Sequence, residues 1–398
     1  MTARQEWSRL WPLPLVSMIG VSGSAMFAYA GGVFMERVTA EFGWSRAEYS
    51  GAFMLMMVAG LFLAPAVGWL IDRIGPRKVA LAGIIPFAAS ISLLGLVRGP
   101  LWQWYAVCLV LAVFQAAISQ LVWVKAIVGR FEFSRGLALA VTLAGLGLGS
   151  FIWPLMAAVF IEAIGWRSAF PAMAALYLAV ALPLVFQFFH GAPVAESAQA
   201  SSRGETSIGS SLRSRTFVGL ALAGGLFAAV NYGLSVHFVP VIRSAGLPLK
   251  EAAAIAGLIG IFSIVGRLTT GVVLDRLPTR IVGVIAFLLP LGAIGLLFAF
   301  PGSTPAAVGA VAFLGFASGA ELDIITYIVA RRYGQEVFGA VYAAFMAIIS
   351  LCASVGPVVA GAIFDASHSY GIWLGVAAPM VVAGALLVAW IPLVPGEA

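Results

Sequence analysis

Arg267 is the residue whose position most needs a chemical explanation. It lies within the apolar run 252–274, eight residues before Asp275. A guanidinium keeps its proton and is costly in hydrocarbon, so an arginine at this depth normally faces a cavity and pairs with an anion. Its planar fork suits a carboxylate. We therefore expect Arg267 to bind an anionic ligand; the alternative is a structural ion pair with an acid of another helix.

Two acids lie in the later apolar run 304–330. Asp323 and Tyr327 are four residues apart and share one helix face, whereas Glu321 faces elsewhere. Asp323 is a candidate proton carrier, with a permanent counter-ion for Arg267 as the equal alternative, and Glu321 is the second candidate for proton coupling. Further polar side chains are candidates to line a ligand path with Tyr327, although each alone is more often a helix-packing residue: Tyr29, Gln115, Gln120, Trp123, Asn231 and Tyr232.

The composition indicates what must surround these residues. Of 398 residues, 62% are hydrophobic and 10% are charged, whereas soluble proteins are about half apolar and about a quarter charged. The surplus apolar surface requires lipid, which excludes a soluble enzyme. The net charge of +6 fits basic cytoplasmic loops better than nucleic-acid binding. Neither a metal-binding spacing nor a catalytic cluster stands out, so we expect no cofactor, no metal and no enzymatic activity.

Apolar stretches long enough to cross a bilayer organise the whole chain. The polar segment 191–215 divides them six and six, which predicts an all-α membrane protein with an N-terminal six-helix bundle (1–190), a linker (191–215) and a C-terminal six-helix bundle (216–398). The twelve predicted spans lie at 13–34, 48–71, 79–97, 102–125, 136–162, 168–189, 216–240, 252–274, 281–300, 304–330, 337–364 and 370–394.

The basic residues predict the orientation of these spans. With the N-terminus inside, fourteen Lys and Arg residues fall in cytoplasmic segments and six in outer ones, so both termini are expected in the cytoplasm. Lys125 reads as a side chain that extends to the cytoplasmic interface, and His237 as an interfacial residue near the outer end of its span. Arg4 and Arg9 precede the first run as in a signal peptide, but the run is too long for one and predicts a retained helix.

An internal repeat relates the two halves. Residues of one half recur 203 positions later in the same order, at helices or helix ends that are far apart along the chain. Arg267 corresponds to Ala64, so packing alone needs no charge there. Two halves in one orientation are typical of transporters with a path at mid-membrane depth. The matched pairs are Tyr29 with Tyr232, Gly68 with Gly271, Asp72 with Asp275, Arg73 with Arg276, Arg77 with Arg280, Gly136 with Gly339, Pro154 with Pro357 and Glu162 with Asp365.

The loop Gly68-Trp-Leu-Ile-Asp-Arg-Ile-Gly-Pro-Arg-Lys78 resembles the signature loop of the major facilitator superfamily, and the resemblance covers the whole chain. Three further stretches resemble its monocarboxylate transporter and oxalate:formate antiporter branch: Glu41-Phe-Gly-Trp-Ser-Arg46, Arg135-Gly-Leu-Ala138 and Gly266-Arg267. The resemblance implies charged cytoplasmic latches that hold one conformation and release in the other. The latch residues it implies are Asp72, Arg73, Arg77, Asp275, Arg276 and Arg280.

The resulting expectation is a secondary active transporter of small organic anions, carrying a monocarboxylate with a proton by alternating access. Exchange of one organic anion for another and export of drugs or metabolites remain the alternatives. A membrane sensor or enzyme should show a soluble appendage or a polar catalytic cluster. The expected partners are the anion, the proton and the lipid bilayer, with no nucleic acid. We expect a monomer in a bacterial inner membrane.

Overall fold

The computed structural model describes residues 3–190, 210–274 and 276–391, so most of the predicted linker 191–215 lies outside the described residues. Within these ranges all regular structure is helical. The first half contains α1 (Ala3–Leu10), α2 (Pro12–Ser24), α3 (Met26–Phe42), α4 (Arg46–Ile74), α5 (Pro76–Leu94), α6 (Leu101–Ala117), α7 (Gln120–Val128) and α8 (Arg135–Phe188). The second contains α9 (Arg215–Ser244), α10 (Leu249–Leu274), α11 (Thr279–Ala299), α12 (Thr304–Ser367) and α13 (Tyr370–Trp390).

The predicted membrane-spanning architecture is confirmed. Among the described residues, 11 helical segments are long and apolar enough to cross a bilayer. One of them, α8, has 54 residues and is broken at Gly165, where φ is 80°. It therefore covers the two predicted spans 136–162 and 168–189, which brings the total to the twelve expected. Large exposed apolar side chains such as Phe62 and Trp390 fit a surface that lipid surrounds.

The chain divides into two compact units. Unit 1 takes in Met1–Trp44 and Gly51–Glu196, and unit 2 takes in Ser45–Ser50 and Ser197–Ala398. The first residues of α4 thus belong to unit 2 and the rest of that helix to unit 1. The predicted boundaries 1–190 and 216–398 contain no such exchange of residues.

Small residues and indoles hold the helices of unit 1 together. A Cβ on Gly149 of α8 would lie 2.7 Å from the Ser22 carbonyl oxygen, so only glycine lets the two backbones approach this closely. The first predicted span is broken between α2 and α3, where the Ser22 carbonyl oxygen accepts a long bond from the Ala25 N–H, at 3.3 Å. Trp153 Nε1 donates to the Ser22 oxygen at 2.8 Å and Gln115 Nε2 to the Ser24 oxygen at 2.6 Å. The break is therefore satisfied by side chains, as hydrocarbon requires.

Candidate functional site

Arg267 and Asp323 form an ion pair inside unit 2. Arg267 Nε lies 3.6 Å from Asp323 Oδ1, and the two side chains are 37% and 31% exposed. A charge-assisted hydrogen bond is shorter, about 2.7–2.9 Å, so the two charges attract each other without being locked together. Among the contacts of the described residues, the terminal nitrogens of the guanidinium have no acceptor. Most of the donors of Arg267 thus remain available to a ligand.

Close packing of α10 and the first half of α12 brings these charges together. A Cβ on Gly319 would lie 2.7 Å from the Arg267 backbone nitrogen and closer still to the Ser263 carbonyl oxygen. A Cβ on Gly266 would likewise lie 2.7 Å from the Cα of Phe316. Asp323 follows Gly319 by four residues and shares its face. The glycines therefore set the separation of the pair.

The other candidate site residues of unit 2 differ in how deeply they are buried and in what they contact. Glu321 is only 4% exposed, whereas Asp323 is the acid that pairs with Arg267. Tyr327 lies beneath the Arg331 guanidinium, with the carbon of that group 4.9 Å from the ring centre. Asn231 is 4% exposed, and its Nδ2 donates to Ser318 Oγ at 2.6 Å. The adjacent Tyr232 is 42% exposed.

The candidates in unit 1 differ in what they have left to offer a ligand. Trp123 is fully buried, and its Nε1 already donates to the Ile118 carbonyl oxygen at 2.8 Å. The Gln115 Nε2 already donates to the Ser24 carbonyl oxygen at the break after α2. Gln120 is exposed at the start of α7, and Tyr29 is half-buried. Gln120 and Tyr29 are thus better placed than Trp123 to meet a ligand from this unit.

The loop after α4 shows how the predicted latch residues of unit 1 are held. Asp72 pairs with the Lys125 ammonium, while the Arg73 guanidinium carbon lies 5.1 Å from the Trp69 ring centre. Arg77 Nη2 donates to the Phe186 carbonyl oxygen at 2.7 Å, near the end of α8.

The corresponding loop of unit 2 shows part of the same arrangement. Arg280 Nη2 lies 3.5 Å from the Ile391 carbonyl oxygen, just past the end of α13, and so repeats the contact of Arg77 in unit 1. Arg276 is exposed, and Asp275 lies outside the described residues.

Comparison with known proteins identifies the family. A model of the Major Facilitator Superfamily matches residues 17–357. The chain belongs to this superfamily. It is 23% identical over 264 residues to the MFS-type transporter pytF of Aspergillus terreus, which covers 65% of this chain and 84% of that protein. It is 26% identical over 380 residues to monocarboxylate transporter 13 of Bos taurus, covering 90% of this chain and 82% of that one.

Solved structures agree with the major facilitator fold. The crystal structure of the nucleoside transporter NupG matches with a TM-score of 0.78 over 95% of this chain and 97% of that one, at 13% identity. This likeness supports the fold alone. As a member of the superfamily, the chain is a multi-pass membrane transporter of small molecules.

Lys125 is a partner of Asp72 that the sequence did not reveal. We expected its ammonium to extend to the interface, but it pairs with Asp72, 53 residues away in the chain. The side chains of Lys125 and Asp72 are 39% and 57% exposed. Asp72 therefore uses a cation from α7 rather than its adjacent arginines. No local pattern in the sequence signals such a contact.

His237 is buried in unit 2 and is not the interfacial side chain that its position suggested. It is 0% exposed. Its Nε2 lies 2.9 Å from the Pro357 carbonyl oxygen and its Nδ1 lies 2.8 Å from the Tyr370 hydroxyl. A carbonyl only accepts, so Nε2 carries the proton and Nδ1 accepts from Tyr370. Ser50 Oγ lies 3.2 Å from the same Nε2.

The start of α4 is capped by an acid of the same unit. The Asp365 carboxylate accepts the backbone N–H groups of Arg46 and Ala47, both at 2.9 Å. The Arg46 guanidinium carbon lies 3.6 Å from the Phe364 ring centre, and its Nη1 donates to the Tyr370 hydroxyl. A carboxylate at a helix N-terminus satisfies orphan donors and complements the helix dipole. The repeat had marked Asp365, and the stretch Glu41–Arg46 had marked Arg46, but neither signal predicted this contact.

Glu6 plays a similar role at the start of α8. Its carboxylate accepts the backbone N–H of Glu132 at 2.7 Å and both the N–H and the hydroxyl of Ser134, at 2.9 and 2.7 Å. The Glu132 contact first, and then those of Ser134 and Phe133, lower the pKa of Glu6 from 4.5 to about 2. The short helix α1 is thereby attached to the loop before α8.

Proposed function

We propose that this transporter carries a small organic anion of the monocarboxylate class together with a proton. The observation that carries the proposal is the loose pair of Arg267 and Asp323 within a membrane-spanning region. A tight structural bridge would satisfy both groups fully. Here a substrate carboxylate can take the guanidinium donors that Asp323 leaves unused.

Charge balance supplies the physical reason for the proton. With Asp323 ionised, the pair is neutral, and an added carboxylate leaves one negative charge to cross the membrane field. That charge costs about 2.3 kcal/mol for each 100 mV. If Asp323 takes a proton as the substrate binds Arg267, the loaded carrier is neutral again. Asp323 is partly exposed, so a proton can reach it from water.

The relatives support this substrate class. Four of them are monocarboxylate transporters in name, of types 12 and 13, at 25–26% identity. Tyr232, Tyr327, Tyr29 and Gln120 complete the proposed ligand path, and Arg73, Arg77 and Arg280 complete the proposed latches. We further propose a monomer in a bacterial inner membrane with cytoplasmic termini, supported by the bias of basic residues.

Uptake into proteoliposomes tests the proposal. Wild-type protein should accumulate labelled lactate, pyruvate or acetate under an inward proton gradient, and Arg267→Gln should abolish accumulation. Arg213→Gln removes the same charge from an exposed position of the same unit and serves as the control. Normal uptake by Arg267→Gln would rule out its binding role.

Asp323→Asn separates symport from exchange. We expect uptake by the variant to depend less on the proton gradient than uptake by the wild type, while the anion still binds. Proton dependence equal to that of the wild type would remove Asp323 from the coupling mechanism. Uptake that requires internal anion and ignores pH would instead select exchange of one organic anion for another.

A further inference from the structure

Two oxygen acceptors in unit 2 are buried without a hydrogen-bond donor. Glu321 and Asn231 are each 4% exposed. Glu321 Oε1 and Asn231 Oδ1 have no hydrogen-bond partner among the described residues. Buried acceptors are normally satisfied, and an unsatisfied one costs about 1–3 kcal/mol. Neither group belongs to the Arg267 and Asp323 pair.

The packing of α9 against α12 indicates that these two acceptors lie near each other. Asn231 Nδ2 donates to Ser318 Oγ at 2.6 Å, and Ser318 Oγ donates in turn to the Leu314 carbonyl oxygen at 2.9 Å. Glu321 follows Ser318 by three residues, on the same face of α12. Helical side chains lean toward the N-terminus, so the Glu321 carboxyl leans toward Ser318, where the Asn231 amide lies.

The register of the two helices supports the same position. One turn beyond Glu321, the Ile325 side chain would lie 3.4 Å from a Cβ on Gly224 of α9. Asn231 meets Ser318, and Gly224 meets Ile325, so Glu321 falls between two points where α9 and α12 touch. Its carboxyl group is therefore enclosed by this interface.

Two neighbouring acceptors require a hydrogen-bond donor between them. An ionised Glu321 would be an unpaired buried charge beside an amide oxygen, which is strongly unfavourable. One proton on Glu321 turns an acceptor into a donor, and the O–H then bonds Asn231 Oδ1. We propose that Glu321 and Asn231 form a proton-binding site, separate from Arg267 and Asp323, in which the protonated Glu321 carboxyl donates to the Asn231 side-chain oxygen.

Other occupants and neighbours fit less well. A hard metal cation needs a shell of about six oxygens, and no group of three or more His, Cys, Asp and Glu side chains lies close enough to hold a metal within the described ranges. Of the other ionisable groups on helices packed against α12, His237 is engaged by Tyr370 and Pro357, and Arg267 by Asp323. The remainder are Tyr232, Arg215 and Arg243 on α9, Lys250 and Glu251 on α10, Arg280 on α11, and Tyr370 on α13, with Tyr327, Arg331, Arg332, Tyr333, Glu336, Tyr342, Cys352 and Asp365 elsewhere on α12 itself.

The internal repeat provides an independent argument. Shifted by 203 positions, Asn231 corresponds to Ala28 and Glu321 to Ile118. The first half thus builds the same helices with apolar residues at both positions. The polar pair is not needed for the fold, and it has the cost of desolvating a carboxyl group. Proton binding would explain why the second half carries the polar pair despite that cost.

The site rests on the proposed function only for what the proton does during transport. The proton enters from water, binds the carboxylate oxygen and returns to water, and no other bond changes. If Glu321 releases its proton into the cell in each transport cycle, transport is coupled to the proton gradient. A transporter with this site should exchange substrate across the membrane without the gradient but should concentrate it only with the gradient.

Infrared spectroscopy of the purified, ligand-free protein tests the site without any substrate. We expect the carbonyl stretching band of a protonated, buried carboxylic acid at neutral pH, and its loss in Glu321→Gln, whose amide still donates to Asn231. Asn231→Ala keeps Glu321 and should shift the band toward that of an acid without an acceptor. A wild-type spectrum that lacks the band would overturn the site, and a band unmoved in Asn231→Ala would overturn the pairing.

Transport by Glu321→Gln tests the coupling role. We expect the variant to keep exchange of labelled for unlabelled anion and to accumulate less anion than the wild type under the same proton gradient, because only the proton at Asp323 remains coupled. Accumulation at the wild-type level would make Glu321 a permanently protonated structural acid and overturn the coupling role. If the wild type moves no organic anion, the proposed function fails, while the infrared result still decides the proton site.

Discussion

Replacing Gly319 by alanine should separate α10 from α12 and disrupt the pair of Arg267 and Asp323. The new Cβ would lie 2.7 Å from the Arg267 nitrogen, whereas ordinary contacts begin at 3.4 Å, so the backbones must move apart by at least 0.7 Å. Nε and Oδ1 are already 3.6 Å apart. The shift takes them past about 4 Å, the usual limit of an ion pair.

The energy of this change can be bracketed. Overpacking of a close contact costs about 1–3 kcal/mol, while alanine gains about 1 kcal/mol over glycine within a helix. Gly319→Ala should therefore be neutral or less stable than the wild type. Gly271→Ala, on the same α10, is the matched control because nothing lies within 4 Å of its added Cβ. That variant should gain stability.

Thermal unfolding in detergent measures both variants, and a double-mutant cycle isolates the pair. In the wild-type background, Asp323→Asn should remove the attraction to Arg267 and change the free energy of unfolding. In the Gly319→Ala background the same substitution should have a smaller effect, because the pair is already broken. Equal effects of Asp323→Asn in the two backgrounds would refute the claim that glycine packing sets the separation.

Two further predictions concern side-chain contacts of unit 1. Glu6 has its pKa lowered from 4.5 to about 2, so its contribution to stability is present above pH 4.5 and is lost as the pH falls toward 2. The difference in melting temperature between wild type and Glu6→Gln should shrink over that interval, and a difference independent of pH would contradict the role of the carboxylate. Lys125→Asp should slow uptake with less than about 1 kcal/mol lost in stability, since the pair is exposed. Adding Asp72→Lys should restore the rate, because the pair is rebuilt with its charges exchanged. Failure of this rescue would show that Asp72 does not act through Lys125.

The fold was predictable from the sequence, as were the two members of the central pair, although their pairing was only one of two alternatives, and both predictions have a common reason. Apolar length sets the number of spans, and a charge inside a span is so costly that Arg267 and Asp323 stand out without any structure. Their three-dimensional neighbours follow from a spacing of four residues and from the small residues of α10 and α12. These rules concern residues that are close together in the chain, so they can be applied to the sequence alone.

Contacts between distant segments were not predictable in this way. Lys125 and Asp72 are separated by 53 residues, and His237 meets partners 120 and 133 residues away. Ser22-Gly23-Ser24 is a local signal for the break between α2 and α3, but the side chains that bond its carbonyl oxygens come from α6 and α8. Burial of Glu321 and exposure of Asp323 likewise depend on which helices pack on α12.

The duplication provides a control within the protein that a single-copy fold lacks. Positions that differ in polarity between the halves show which groups the fold can do without, because the equivalent helices form in both. Arg267 has Ala64 as its counterpart, and Asn231 and Glu321 have Ala28 and Ile118. Each polar member adds a desolvation cost that its counterpart avoids, and neither the 3.6 Å ion pair nor the two unpaired acceptors recovers that cost within the described protein. The proposed anion at Arg267 and the proposed proton at Glu321 would supply the missing interactions.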